Sequence, residues 1–170
     1  ITRHWSESDL VNELSKLSII CDTREQQIHC KEYFEKKNIP TITRKLEIGD
    51  YSAQIGDFTL ENEIAIERKH NLDELAGNLG QDRLRFEREF IRAKAYGTKV
   101  FLLIEDAGWQ DIYLHNYRSR LSPKSLMASL MSWQVRFNIT VWFCEKENTA
   151  RLIHQILYYA AREELLNGRV

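Results

Sequence analysis

Five consecutive apolar residues, Val100-Phe101-Leu102-Leu103-Ile104, constrain the fold more than any other segment. A strand with one face in water alternates apolar and polar positions, whereas a strand with no polar position must be covered on both sides. The rest of the chain supplies the covering layers. Ser8-Asp9 precede Leu10, Val11, Leu14 and Leu17 at helical spacing, and the apolar run at 17–21 reads as a buried strand. Residues 25–38 read as a helix stopped by Asn38-Ile39-Pro40, and residues 41–69 as short β segments with a hairpin turn at Gly56-Asp57. Helices follow at 72–79 and 82–96, the second closed by Gly97. Ser122-Pro123 starts another that carries Leu126, Met127, Leu130, Met131 and Phe137. A strand at 139–144 and a last helix at 147–166 complete the series. The expectation is an α/β domain of three layers, a mixed central sheet flanked by helices.

The residues that carry chemistry collect at predicted strand ends: Asp22 with Arg24 and Glu25, then Gly49-Asp50-Tyr51, then Glu67-Arg68-Lys69. Carboxylates on neighbouring strand ends can converge on one Mg²⁺, which takes oxygen ligands and keeps several waters. Alternation along a strand puts Glu67 and Lys69 on one face and Arg68 on the other. An ammonium beside a metal can hold the attacking water of a phosphodiester hydrolysis. Glu-x-Lys alone is uninformative, since about one or two copies arise by chance in a chain this rich in both residues. Glu35-Lys36-Lys37 is such a copy, on a predicted helix. Three acidic groups in this order, each at a strand end, are what point to a site.

These segments resemble the nuclease domain of the XPF/Mus81/Hef family. The resemblance rests on residues 19–25 (Ile-Ile-Cys-Asp-Thr-Arg-Glu), on Leu46-Glu47-Ile48-Gly49-Asp50-Tyr51, and on Ile66-Glu67-Arg68-Lys69 with Asp73 four residues on. Gln81-Asp82-Arg83-Leu84 is similar to a short segment of the same family. The resemblance implies a restriction-endonuclease-like fold over residues 18–166, with 1–17 as an N-terminal extension and 167–170 as a tail. It implies Asp22, Asp50 and Glu67 as ligands of Mg²⁺ or Mn²⁺, and Asp50, Glu67, Lys69 and Arg68 as the catalytic set. Arg24, Glu25 and Asp73 would be supporting residues. The implied activity is metal-dependent cleavage of branched double-stranded DNA (a flap, fork or junction) in repair or recombination. The alternative is a non-catalytic DNA-binding or scaffold subunit, which would be expected to lose Asp50, Glu67 or Lys69.

Charge refines the substrate side. The net charge is −1, so DNA contacts must come from local strips: Arg83, Arg118 and Arg120 are the expected ones, with weak, salt-sensitive binding. Arg85, Arg88 and Arg92 fall along one side of the predicted helix, where solvated ion pairs compete with phosphate contacts as explanations. The family usually adds a helix-hairpin-helix domain, which this sequence does not carry, so a missing domain or a partner is expected. The apolar helices beginning near Pro123 and Asn148 suggest a homodimer through that region. No apolar run is long enough for a membrane span and no signal peptide is visible. The three cysteines show no metal spacing, so reduced thiols are expected in an intracellular setting, a bacterial or phage-infected cytoplasm or a nucleus.

Overall fold

A computed structural model describes residues 4–25 and 27–168. Its seven strands form one sheet in the order β2-β1-β3-β5-β6-β7, with β4 paired to β3 outside this path. The strands are β1 (Leu17–Cys21), β2 (Thr41–Thr43), β3 (Tyr51–Ile55), β4 (Phe58–Thr59), β5 (Ile64–Lys69), β6 (Lys99–Glu105) and β7 (Ile139–Cys144). β1 runs parallel to β2, β3 is antiparallel to both β1 and β5, and β5, β6 and β7 are parallel to one another. The sheet is therefore mixed. β6 lies between β5 and β7, as its unbroken apolar run requires.

Two cores lie on opposite faces of this sheet. One gathers α1 (Glu7–Leu14), α2 (Ile28–Lys36) and α7 (Thr149–Leu166) around Leu10, Phe34, Ile19, Tyr51, Ile66, Leu103 and Leu157. The other gathers α3 (Leu72–Gln81), α4 (Arg83–Tyr96), a short α5 (Trp109–Tyr113) and α6 (Pro123–Arg136) around Leu75, Phe90, Leu102, Ile104 and Trp133. Adjacent residues of one strand divide between the two cores, Leu103 to the first and Leu102 and Ile104 to the second, as a pleat of period two demands.

Several boundaries differ from the sequence reading, each for a local reason. Ser6, not Ser8-Asp9, caps α1, its hydroxyl accepting from the Asp9 N–H at 3.1 Å. α2 begins at Ile28 because residues 22–25 close a turn, the Glu25 N–H donating to the Asp22 carbonyl at 3.0 Å. α5 has too few apolar positions to show a period. α1 packs into the first core through Leu10 and Leu14, and the Trp5 indole N–H donates to the Leu165 carbonyl at 3.1 Å. Residues 5–14 are thus bound to the end of α7. Of the expected extension and tail, residues 1–3 and 169–170 lie outside the described residues, as does Gln26 of the expected helix 25–38. No helix among the described residues is long and apolar enough to cross a membrane.

Candidate active site

Gly49 and Asp50 form the entry to β3, and their conformation is forced. Gly49 has φ +74°, and a Cβ there would stand 2.9 Å from the Ile66 carbonyl oxygen. Only glycine fits. The close approach lets the Asp50 N–H donate to that same carbonyl at 2.8 Å. The Asp50 carbonyl accepts from the Asp22 N–H at 2.8 Å, and its Oδ2 accepts from the Arg68 N–H at 2.8 Å. Asp50 is therefore held through three backbone groups on two neighbouring strands.

β5 delivers the rest. Glu67 and Lys69 emerge on the face of α3 and α4, and the Lys69 ammonium stands 3.1 Å from Glu67 Oε1, 3.8 Å from Glu74 Oε1 and 4.8 Å from the centre of the Phe86 ring. Together with Asp50 they line a cleft of about 490 Å³. Glu89 of α4 lines it as well, its Oε1 accepting from the Gly49 N–H at 2.7 Å. The rim carries Arg24, Arg85, Arg88 and Arg92. Arg92 reaches the Glu47 carbonyl at 3.3 Å, while Arg85 and Arg88 are exposed and unpaired among the described residues.

The floor of the cleft gathers more carboxyl groups than its one ammonium lets ionise together. Burial pushes the Asp50 carboxyl up to about 7, and the negative charges nearby add to the rise, although an edge of Asp50 still reaches the cleft. Burial likewise drives Glu67 well above the usual carboxylate range, with Asp50 and Glu89 adding to it and Lys69 opposing. Burial works against the charge on Lys69, but Glu67 and Glu74 outweigh it and raise its pKa. The ammonium stays charged, and the two carboxyls compete to ionise.

Arg68 points the other way. Its guanidinium is buried on the side of α2 and α7, donating to Glu105 Oε1 at 2.5 Å and to Glu25 Oε1 at 3.2 Å. Arg68, which the resemblance places in the catalytic set, thus reaches the cleft through its backbone N–H to Asp50. Glu25 belongs to this second cluster.

The structure places two further expected site residues away from the cleft. Asp22, expected as a metal ligand, is fully buried and does not line the cleft. Its carboxylate accepts from the Arg24 N–H at 3.0 Å, from Arg24 Nε at 2.8 Å and from the Leu46 N–H at 2.7 Å. Burial disfavours its charge, but these donors prevail and hold its pKa below the ordinary value. Asp22 is the lock of a turn. Arg83, the expected DNA contact at the start of α4, is paired to Glu87 at 3.2 Å and lies off the cleft, where Arg85 and Arg88 stand instead.

Asp73, expected in support, also serves elsewhere: its Oδ1 accepts from the Arg118 N–H at 2.6 Å. Arg118 and Arg120 line a separate groove beside α3. Glu89 escaped the sequence reading because four positions after Arg85 it reads as half of a surface ion pair. Its one sequence signal is its place on the face of α4 that carries Arg85 and Arg92.

A family model, the ERCC4 domain, matches residues 21–156. Among solved structures the chain is similar to XPF from Aeropyrum pernix (24% identity, TM-score 0.65). It is also similar to XPF from Aeropyrum pernix in complex with DNA (21% identity, TM-score 0.64). Each match covers 86% of this chain and 66% of the other, so the chain spans just under two thirds of their length. These likenesses show a common fold, the restriction-endonuclease-like three-layer domain expected from the sequence. A comparison with curated proteins gave no match.

Proposed function

This chain belongs to the ERCC4-domain family, and from that premise we propose that it is a divalent-metal-dependent endonuclease acting on branched DNA. One observation carries the reading: the Gly49 turn sets Asp50 against Glu67 and Lys69 in a single cleft rimmed by arginines.

A divalent cation suits this floor. Among the described residues no three His, Cys, Asp or Glu side chains are gathered into a metal cage. Two desolvated carboxylates short of positive charge are the donor set Mg²⁺ accepts, with its remaining positions left to water and phosphate oxygens. Asp50 and Glu67 would hold it, and bound there it would stabilise the charge that builds on the phosphate. Lys69 keeps its proton against Glu67 and Glu74, so it binds and orients a water or phosphate oxygen. Arg85 and Arg88 offer free guanidinium groups to the DNA backbone, and Glu89 holds the Gly49 turn. Arg68, clamped from the opposite face, positions Asp50. Catalysis of this kind rests on orientation and charge, with no covalent intermediate on the protein.

The test is a panel of labelled flap, fork, nicked and four-way substrates with Mg²⁺, Mn²⁺ or chelator. Metal-dependent incision near the branch supports the reading. Binding without incision under every metal condition would make the chain a binding subunit.

We further propose a homodimer centred on β7, an edge strand flanked by α6 and α7. Leu126 and Leu130 of the helix beginning at Pro123 belong to the core; the outward apolar groups are Met131, Val135, Trp142 and Tyr159. A largely apolar groove of about 670 Å³ runs beside Trp142 and Tyr159. Light scattering at micromolar concentration should give twice the chain mass, and Trp142→Arg should return it to one.

A further inference from the structure

α3 separates two concave surfaces. Asn78 and Asp82, at its end, line the catalytic cleft. The opposite face of the helix, with Asp73, Gly77, Gly80 and Gln81, lines a second groove of about 520 Å³, whose far wall carries Arg118 and Arg120. This far wall is tied to the helix: the Arg118 N–H donates to Asp73 Oδ1 at 2.6 Å, and the Arg118 side chain, 95% exposed, stands 3.9 Å from Asp73 Oδ2. Arg120 is exposed and without an ion-pair partner among the described residues.

Two glycines inside a ten-residue helix are costly to helix formation and are not required by packing here. A Cβ at Gly77 or at Gly80 would meet nothing within 4 Å. Neither has the positive φ that would demand glycine. What they provide is a bare backbone opposite two arginines, a surface that a sugar-phosphate chain can approach closely. At about 520 Å³ the groove has the volume of a small-molecule pocket, a scale that suits a short stretch of one strand. A helix body is about 10 Å across, so the width of one helix stands between the cleft and the groove.

Resting on the reading of the cleft as a DNA site, we propose that α3 is a strand divider. The scissile strand lies in the cleft, and the unpaired arm of a branched substrate passes through the groove between α3 and residues 118–121. Phosphate contacts come from Arg118 and Arg120 and close backbone approach from Gly77 and Gly80. Preference for branched over plain duplex DNA then originates in this groove.

The groove can be filled without disturbing the core. In chelator, so that no strand is cut, fluorescence anisotropy would compare a forked DNA bearing one single-stranded arm with a blunt duplex of the same sequence. Gly77→Gln/Gly80→Gln is expected to weaken fork binding about tenfold or more, to leave duplex binding within about twofold, and to melt no lower than the parent. Arg118→Gln/Arg120→Gln leaves α3 untouched and reads the same groove from its other wall, with the same expected loss on the fork. Unchanged fork affinity in either folded variant, or equal loss on fork and duplex, would overturn the proposal. So would a parent protein with no preference for the fork, though cleavage of duplex by that protein would leave the nuclease reading standing. A parent that prefers forks yet cuts none would overturn the nuclease reading alone.

Discussion

The last three residues of β5 serve two regions built on opposite principles. On the α2 and α7 side, the Arg68 guanidinium is enclosed by Glu25 and Glu105 and leaves no open space. On the α3 and α4 side, Glu67, Asp50 and Glu89 face a cleft with one ammonium among them. The first region pairs its arginine and closes; the second leaves carboxyl groups unmatched and open. Buried ion clusters add little net stability, because desolvation consumes most of their attraction, but they define geometry. The closed cluster fixes the strand end from below, and the strained charge of the open one is what a cation and a phosphate can relieve.

The largest expected effect removes the open charge. Asp50→Asn or Glu67→Gln should lower the rate of metal-dependent cleavage by about 10³-fold or more while DNA binding in chelator stays nearly intact; retained turnover in both would remove the cleft from the mechanism. Next is the closed cluster. Arg68→Met strands two buried carboxylates and should cost about 3–4 kcal/mol in urea unfolding. Arg68→Met combined with Glu25→Gln and Glu105→Gln should recover most of that stability. If Arg68→Met alone unfolds no more easily than the parent, the two faces do not differ as described.

Stability against pH sharpens the contrast in the opposite sense. The folded pKa of Asp50, about 7, lies above the ordinary value of 3.8, so the folded protein holds an extra proton between roughly pH 4 and 7. Its contribution to stability is present below that window, falls as pH rises through it and is flat above. Asp50→Asn, in chelator, should therefore stabilise the fold by about 1–3 kcal/mol at pH 8, seen as a melting temperature several degrees higher, and by much less at pH 4. A gain independent of pH would exclude this origin. The smallest effect concerns the rim. Arg85→Gln/Arg88→Gln should reduce the salt slope of DNA binding by about 2, whereas Arg83→Gln, already paired to Glu87, should change it little; equal slopes would place the phosphate contacts elsewhere.

Whatever depends on periodicity within one element was legible in the sequence. The apolar run at 100–104 demanded a covered strand, alternation separated Glu67 and Lys69 from Arg68, and Gly49-Asp50 marked the opening of a β segment. These are short-range consequences of pleat and sterics. Tertiary packing alone decided which partners meet across the chain. Asp22, expected as a ligand, has its carboxylate held by the Leu46 N–H from a loop 24 residues on. Asp73, expected in support, is turned by α3 toward Arg118. Glu89 looked like half of a surface pair until Phe86 and Phe90, packing on Trp133, set the rotation of α4 that carries it to the Gly49 turn. The rotation of a helix about its axis and the docking of a loop are chosen by contacts remote in sequence, so no local pattern could have announced them.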